Sequence, residues 1–291
     1  MSTSLSVTSG VRQGGILSPS LFNLYVNCFI TQLRNSDLGC HVKDIYLGCL
    51  MYADDLLLLS SSVIDLQLML NTCGMIGDEM GIKFNGLKSN CIVIGPQKVH
   101  KLASLSINKH EIQWVSKIKY LGVTLQAGSK FSIDLSDTRR KFFISVNNIL
   151  NRSKRATDMT KLQLIESHCL PVLLYGIEGM NLPKSQLKDV NAWWNYVYRK
   201  IFNYNKWESV KELISLLNRL DILHLVRLRR LMFFKRITNV HANNCAIDQL
   251  YNLFITSPEA YELQHQSETY LCNSFTKIKQ DISASFHSKF L

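Results

Sequence analysis

Hydrophobic and polar positions along the chain change rhythm near its middle. Leu5 and Val7 alternate with polar neighbours at the two-residue period of a strand, and a glycine-rich loop, Gly10–Gly15, follows. Ser18 is placed to cap a helix with Pro19 at its first position. Leu21, Leu24/Tyr25, Cys28/Phe29 and Leu33 then recur at helical spacing, which predicts a helix over 19–34. Two apolar runs, Ile45–Tyr52 and Leu56–Ser60, flank Ala53-Asp54-Asp55 and predict a β-hairpin with the acids at its tip. Val63–Met80 carries helical spacing and stops at Gly81. Further strands are predicted at Ile82–Phe84, Asn90–Ile94, Ile112–Val115 and Tyr120–Leu125.

Beyond about residue 130 long amphipathic helical patterns take over. Trp193/Trp194, Val197/Tyr198 and Ile201/Phe202 form one apolar stripe. The expected fold class is α+β: a hairpin carrying the acid pair with packed helices to residue 126, then an all-helical region.

Composition fits a globular protein. Of the 291 residues 46% are hydrophobic and 19% charged, a balance that can bury a core and excludes a largely disordered chain. The eight Cys form no CxxC pair and read as reduced thiols rather than a disulfide framework. The start lacks the basic and apolar stretches of a secretory leader, so an intracellular protein is expected. The most apolar window, Ile45–Leu59, holds Asp54 and Asp55 and is shorter than the roughly 20 residues of a membrane span, so no membrane association is expected.

Charge is unevenly placed. Residues 1–97 carry 5 Lys/Arg and 7 Asp/Glu, residues 98–241 carry 25 and 10, and residues 242–291 carry 3 and 5. The whole positive surplus lies in the middle section, as on a polyanion-binding surface.

The chemistry centres on Asp54 and Asp55. Two adjacent carboxylates between hydrocarbon runs must be solvated, paired or bound to a cation. A solvated turn satisfies them, and so does a hard cation such as Mg2+, which takes one or two carboxylates together with phosphate oxygens. The Gly10–Gly15 loop leads into a helix N-terminus, a place suited to phosphate or to close backbone approach.

The order of these features is more specific than any one of them. Gly-Val-Arg-Gln-Gly-Gly-Ile-Leu-Ser-Pro at 10–19 resembles the nucleotide-pocket loop of reverse transcriptases, and Tyr52-Ala53-Asp54-Asp55 resembles their metal-binding hairpin. Gly81–Asn85 with Lys88-Ser89 is similar to the next block, and Lys119-Tyr120-Leu121-Gly122-Val123 to the primer grip. The wording is that of LINE-type, non-long-terminal-repeat retrotransposons, and Leu170–Glu178 resembles the region that follows the polymerase core there. The resemblance implies a partial palm over 1–126, a helical thumb over 127–182 and a C-terminal helical region over 183–291.

It also implies roles for single residues. Asp54 and Asp55 would be the catalytic metal ligands, and Lys88 would act on the departing pyrophosphate. Arg12, Gln13, Gly14 and Gly15 would line the deoxynucleoside triphosphate. Tyr52, Tyr120, Leu121 and Gly122 would hold the DNA primer on its RNA template. The family carries a further metal-binding Asp upstream of the Gly-Val-Arg-Gln-Gly block, whereas no Asp or Glu precedes Asp37 here. The expectation is therefore the C-terminal part of a polymerase that is inactive alone. Mg2+ would bind fully only once the complete site is assembled. The alternative is a nucleic-acid-binding remnant without polymerase function.

In the basic section Arg139, Arg140 and Lys141, then Arg152, Lys154 and Arg155, then Arg227, Arg229 and Arg230 are expected to contact nucleic-acid backbone, with Phe233 and Phe234 interleaved as stacking or core residues. His241, Cys245, His265, Cys272 and His287 fit no tight zinc-ligand spacing and read as buried Cys and surface His. The sequence sets no oligomeric state.

Overall fold

A computed structural model describes residues 14–96, 102–240 and 245–255. The strand expected at Leu5–Val7 lies outside them, as do Arg12 and Gln13. The chain divides into two compact units, one of residues 1–118 with 127–130, the other of residues 119–126 with 131–291.

In the first unit, helix α1 (Ser18–Asn35) begins one residue earlier than expected, with Leu17 at the cap position and Pro19 in the first turn. Its buried stripe is Val26, Phe29 and Leu33, while Leu21 and Leu24 are exposed and the half-exposed Tyr25 donates its hydroxyl to the Met80 carbonyl. The expected stripe was rotated because several apolar rows run along this helix. The row that packs on the rest of the unit is the one that meets its core, which includes Cys49, Met69 and Cys73.

The run Ile45–Tyr52 is not one strand. Strands β1 (His41–Val42) and β2 (Ile45–Tyr46) pair with each other, Gly48 interrupts, and β3 (Cys49–Tyr52) pairs with β4 (Asp55–Leu58). A Cβ at Gly48 would lie 2.6 Å from the Tyr46 ring, so the ring takes the space beside this break.

Helix α2 (Val63–Met80) has the bounds its spacing predicts. The Ser62 side chain accepts a hydrogen bond from the Asp65 N–H at its start, and left-handed Gly81 ends it. Beyond it, Ile82–Phe84 forms no strand. Ile82 instead donates its N–H to the Gly77 carbonyl, continuing the helix cap, and Phe84 packs edge-on against Phe29 at 5.6 Å. Strand β5 (Asn90–Cys91) runs parallel to β7 (His110–Trp114), which pairs antiparallel with β6 (Leu105–Ile107). Gln67 of α2 exchanges two hydrogen bonds with the backbone of Ser106, so helix and sheet edge satisfy each other.

Tyr120–Leu125, expected as one strand, is a hairpin instead. Strand β8 (Lys117–Tyr120) turns at Leu121-Gly122 into β9 (Val123–Gln126), and β9 pairs with β10 (Ser132–Asp134). Strand structure therefore persists past residue 126, and the helices of the second unit begin only at Ser136.

The helices of the second unit are α3 (Ser136–Arg152), α4 (Asp158–His168), the short α5 (Leu170–Leu173), α6 (Lys184–Phe202), α7 (Lys211–Leu216), α8 (Ile222–Val240) and α9 (Cys245–Ile255). Their core is built on Phe142, Leu162, Ile165, Trp194, Val197, Tyr198, Ile214 and Ile222. The stripe expected on α6 is its buried face, with Trp194 and Tyr198 edge to face at 5.7 Å. Cys28, Cys40, Cys49, Cys73, Cys91 and Cys169 are free thiols, and burial pushes Cys73 up to about 12 and Cys169 up to about 11. No described helix is long and apolar enough to cross a membrane.

Candidate active site

The acid pair sits where its flanking hydrocarbon puts it. Tyr52 pairs directly with Asp55, so the two share one face of the hairpin, and Ala53-Asp54 form a two-residue turn. Cys49 is buried, and Met51, Leu56 and Leu58 pack on the core of the unit. These contacts fix the strands and leave Tyr52, Asp54 and Asp55 exposed at the tip. Ala53 takes φ +52°, the positive value that a type II′ turn requires at its first central residue. A residue with a Cβ bears roughly 1–2 kcal/mol of strain there. Local strain at the point that presents two carboxylates is the pattern of a functional tip.

Gly14 also has positive φ, +79°, with open space around its missing side chain, so its backbone conformation selects glycine. Gly15 accepts from the Ser18 N–H in the turn that launches α1. Lys88 lies exposed in a turn organised by Asn85, whose carbonyl and side-chain oxygens both accept from the Lys88 N–H. The Asn85 carbonyl accepts from the Ser89 hydroxyl as well. Sequence reasoning placed Asn85 in the Gly81–Asn85 block but gave it no role of its own. The Asn-Gly step at 85–86 was the signal available.

In the second unit the Leu121-Gly122 turn has φ +45° and +84°, the type I′ pattern. The Tyr175 hydroxyl donates to the Leu121 carbonyl at 3.0 Å, and a Cβ on Gly122 would come within 3.0 Å of the Tyr175 ring. Tyr175 thus supports the turn from 54 residues away. Only the resemblance of its segment hinted at it. Gly122→Ala is expected to destabilise this unit by about 1–3 kcal/mol, through positive φ and through crowding of Tyr175. Thermal melting followed by circular dichroism checks it; an unchanged midpoint would refute the account of this turn.

The basic residues are held in four different ways. Lys119, Arg140 and Lys141 converge on Asp137 at 3.4, 2.9 and 2.9 Å. Hydrogen bonds from Lys141, then Arg140, hold that carboxyl well below the usual carboxylate range, so three cations share one fixed negative charge. Arg139 stacks over Trp193 at 5.6 Å. Arg152, Lys154, Arg155 and Arg227 are exposed. Arg229 and Arg230 are half-buried. Arg229 donates to the Leu174 carbonyl at 3.4 Å with Glu178 3.7 Å away, and Arg230 donates to the Met180 carbonyl at 2.9 Å. Phe234 is core and Phe233 is partly exposed.

Mg2+ accepts one or two carboxylates with water and phosphate oxygens completing its shell, which the exposed Asp54 and Asp55 can supply in part. Among the described residues no three His, Cys, Asp or Glu side chains cluster closely enough to hold a metal by themselves. His241, His265, Cys272 and His287 lie outside the described residues.

Comparison with known proteins agrees with this geometry. Residues 2–125 match the family described as reverse transcriptase (RNA-dependent DNA polymerase). The chain is 26% identical over 209 residues to a retrovirus-related Pol polyprotein from the type-1 retrotransposable element R2 of Popillia japonica, a match covering 68% of this chain and 33% of that protein. It is 33% identical over 126 residues to the transposon TX1 uncharacterized 149 kDa protein of Xenopus laevis, covering 42% and 9%. With the Pol polyprotein of the type-2 element R2DM of Drosophila melanogaster it shares 30% over 126 residues, covering 40% and 12%. Residues 2–125 are thus similar to reverse transcriptases. Two of these relatives are named for R2 retrotransposable elements and the third for transposon TX1. The chain spans a third or less of the length of these relatives.

Proposed function

We propose that this chain supplies the metal-binding hairpin, nucleotide loop and primer-holding turn of an RNA-directed DNA polymerase that copies an RNA template onto a DNA primer. The observation that carries the reading is the exposed Asp54-Asp55 pair on a hairpin whose strands are anchored by hydrocarbon. When bound at those carboxylates, Mg2+ would supply Lewis-acid activation of the attacking oxygen and charge neutralisation on the triphosphate.

The chain's own residues do the rest. Tyr52 shares a hairpin face with Asp55 and is placed to lie beside the primer's end. Arg12 and Gln13 would bind the incoming deoxynucleoside triphosphate, with Gly14 and Gly15 admitting the template–nucleotide pair. Lys88, on its Asn85-ordered turn, would neutralise the departing pyrophosphate. Tyr120, Leu121 and Gly122 would hold the primer backbone. Residues 1–126 then serve as partial palm, 127–182 as thumb and 183–291 as a C-terminal helical region. Asp54 and Asp55 both keep their carboxylates at the tip, which supports polymerase chemistry over a remnant that only binds nucleic acid.

Manganese broadening of backbone amide resonances tests the metal site. Mn2+ at millimolar concentration is expected to broaden Tyr52–Leu56 first, and Asp54→Asn to abolish this broadening. Unchanged resonances at the hairpin, or broadening that survives Asp54→Asn, would overturn the assignment.

A further inference from the structure

After α6 ends, the chain makes a tight, heavily tied turn that the polymerase reading leaves without a role. Left-handed Asn203 closes the helix, and the Tyr204 N–H returns to the Arg199 carbonyl at 3.0 Å. Asn205–Glu208 then close a turn, with the Glu208 N–H on the Asn205 carbonyl at 3.1 Å and the Glu208 carboxylate accepting from the Asn205 N–H. Arg199 Nε reaches across to the Glu208 carbonyl at 2.9 Å. Buried Ile201 and Val210 anchor the segment on either side.

At the centre of this turn are Lys206 and Trp207. The indole is 87% exposed, and the Lys206 ammonium sits 5.0 Å from the ring centroid. Tyr204, next to the turn, is 39% exposed. The ties are all within the segment or to the helix it leaves, and none of those described, Lys206 over one face aside, covers the indole. Arg199, Lys200, Lys206 and Lys211 face a single acid, Glu208, between residues 199 and 211.

We propose that Trp207 is a stacking platform for an unpaired base of single-stranded nucleic acid, with Lys206 contacting the adjoining phosphate. An open indole offers a π face that any base can cover, and the fixed turn lowers the ordering cost of binding. The partner is single-stranded because bases in a duplex are already stacked on one another. The cationic surroundings favour a polyanion over an apolar protein surface. This site needs neither metal nor nucleotide, so its test is independent of the polymerase reading.

The test uses the 291-residue chain in EDTA. Binding of a dye-labelled oligo(dT) of about 12 nucleotides and of a duplex of equal length is followed by anisotropy. Trp207→Ala is expected to raise the single-strand dissociation constant about 5- to 150-fold, the range for loss of one base–aromatic stack, with duplex affinity and melting temperature unchanged. Trp207→Phe should keep most of the affinity, because a smaller ring still stacks. Lys206→Ala should flatten the single-strand salt slope by about 0.7. Single-strand affinity within twofold of wild type in a folded Trp207→Ala chain would overturn the proposal. So would an equal loss for duplex and single strand. Loss of self-association in Trp207→Ala with oligonucleotide binding intact would make Trp207 a contact between copies of the chain, and that too contradicts it.

Discussion

Duplex nucleic acid is expected to bind this chain with an affinity that falls about a thousandfold or more between about 50 and 200 mM salt, as for proteins that neutralise six or more phosphates. The warrant is the 25 Lys/Arg against 10 Asp/Glu in residues 98–241, beside a slightly acidic section on each side. Each phosphate neutralised releases condensed counterions and adds about −0.9 to the log–log slope. The cations that carry this are the outward ones. Replacing Arg152, Lys154 and Arg155 with Gln should flatten the slope by up to about 2.7 while leaving the fold intact, because all three are exposed. Arg229→Ala with Arg230→Ala should act differently. These side chains hold the carbonyls of Leu174 and Met180, so the loss appears mainly as about 1–3 kcal/mol of stability and a lower melting temperature. Salt titrations of duplex binding, paired with melts, separate the two effects. A wild-type slope in the folded triple Gln variant would show that Arg152, Lys154 and Arg155 are only a solvated helix end. Sequence preference should be slight, because phosphate contacts position a protein without reading bases.

Much of this architecture was legible in the residues because the signals were local. Val63–Met80 carries its own cap at Ser62 and its own stop at Gly81, so its bounds follow from spacing alone. The hairpin was legible because Asp54 and Asp55 interrupt two apolar runs that have no other way to bury their hydrocarbon. What failed was non-local. Which row of α1 is buried depends on the core it meets, so Leu21 and Leu24 were misplaced. Ile82–Phe84 has strand composition, but the Ile82 N–H is consumed by the helix cap. Leu121-Gly122 breaks an apolar run into a hairpin through positive φ at a leucine, which composition does not advertise, and Tyr175 supports it from across the unit. Charge in sequence also carries no direction, and the structure turns Arg229 and Arg230 toward the carbonyls of Leu174 and Met180.

The largest effect expected is on DNA synthesis. Two adjacent carboxylates on one hairpin reach only part of a pair of ions held about 4 Å apart, the arrangement that phosphoryl transfer uses. No Asp or Glu precedes Asp37 among the 291 residues, and no three described His, Cys, Asp or Glu side chains cluster to hold a metal. The 291-residue chain alone should therefore extend primers undetectably. Joining it behind the upstream reverse transcriptase residues of a relative, such as the Popillia japonica protein, should supply a further ligand and allow extension. In that joined protein Asp54→Asn should lower the rate about a thousandfold or more, since removing a metal ligand forfeits several kcal/mol of transition-state stabilisation. The deciding measurement is primer extension on an RNA template with Mg2+ by the joined protein and its Asp54→Asn variant. The account predicts template-dependent synthesis by the first and almost none by the second. Synthesis that survives Asp54→Asn, or that the 291-residue chain performs unaided, would contradict it.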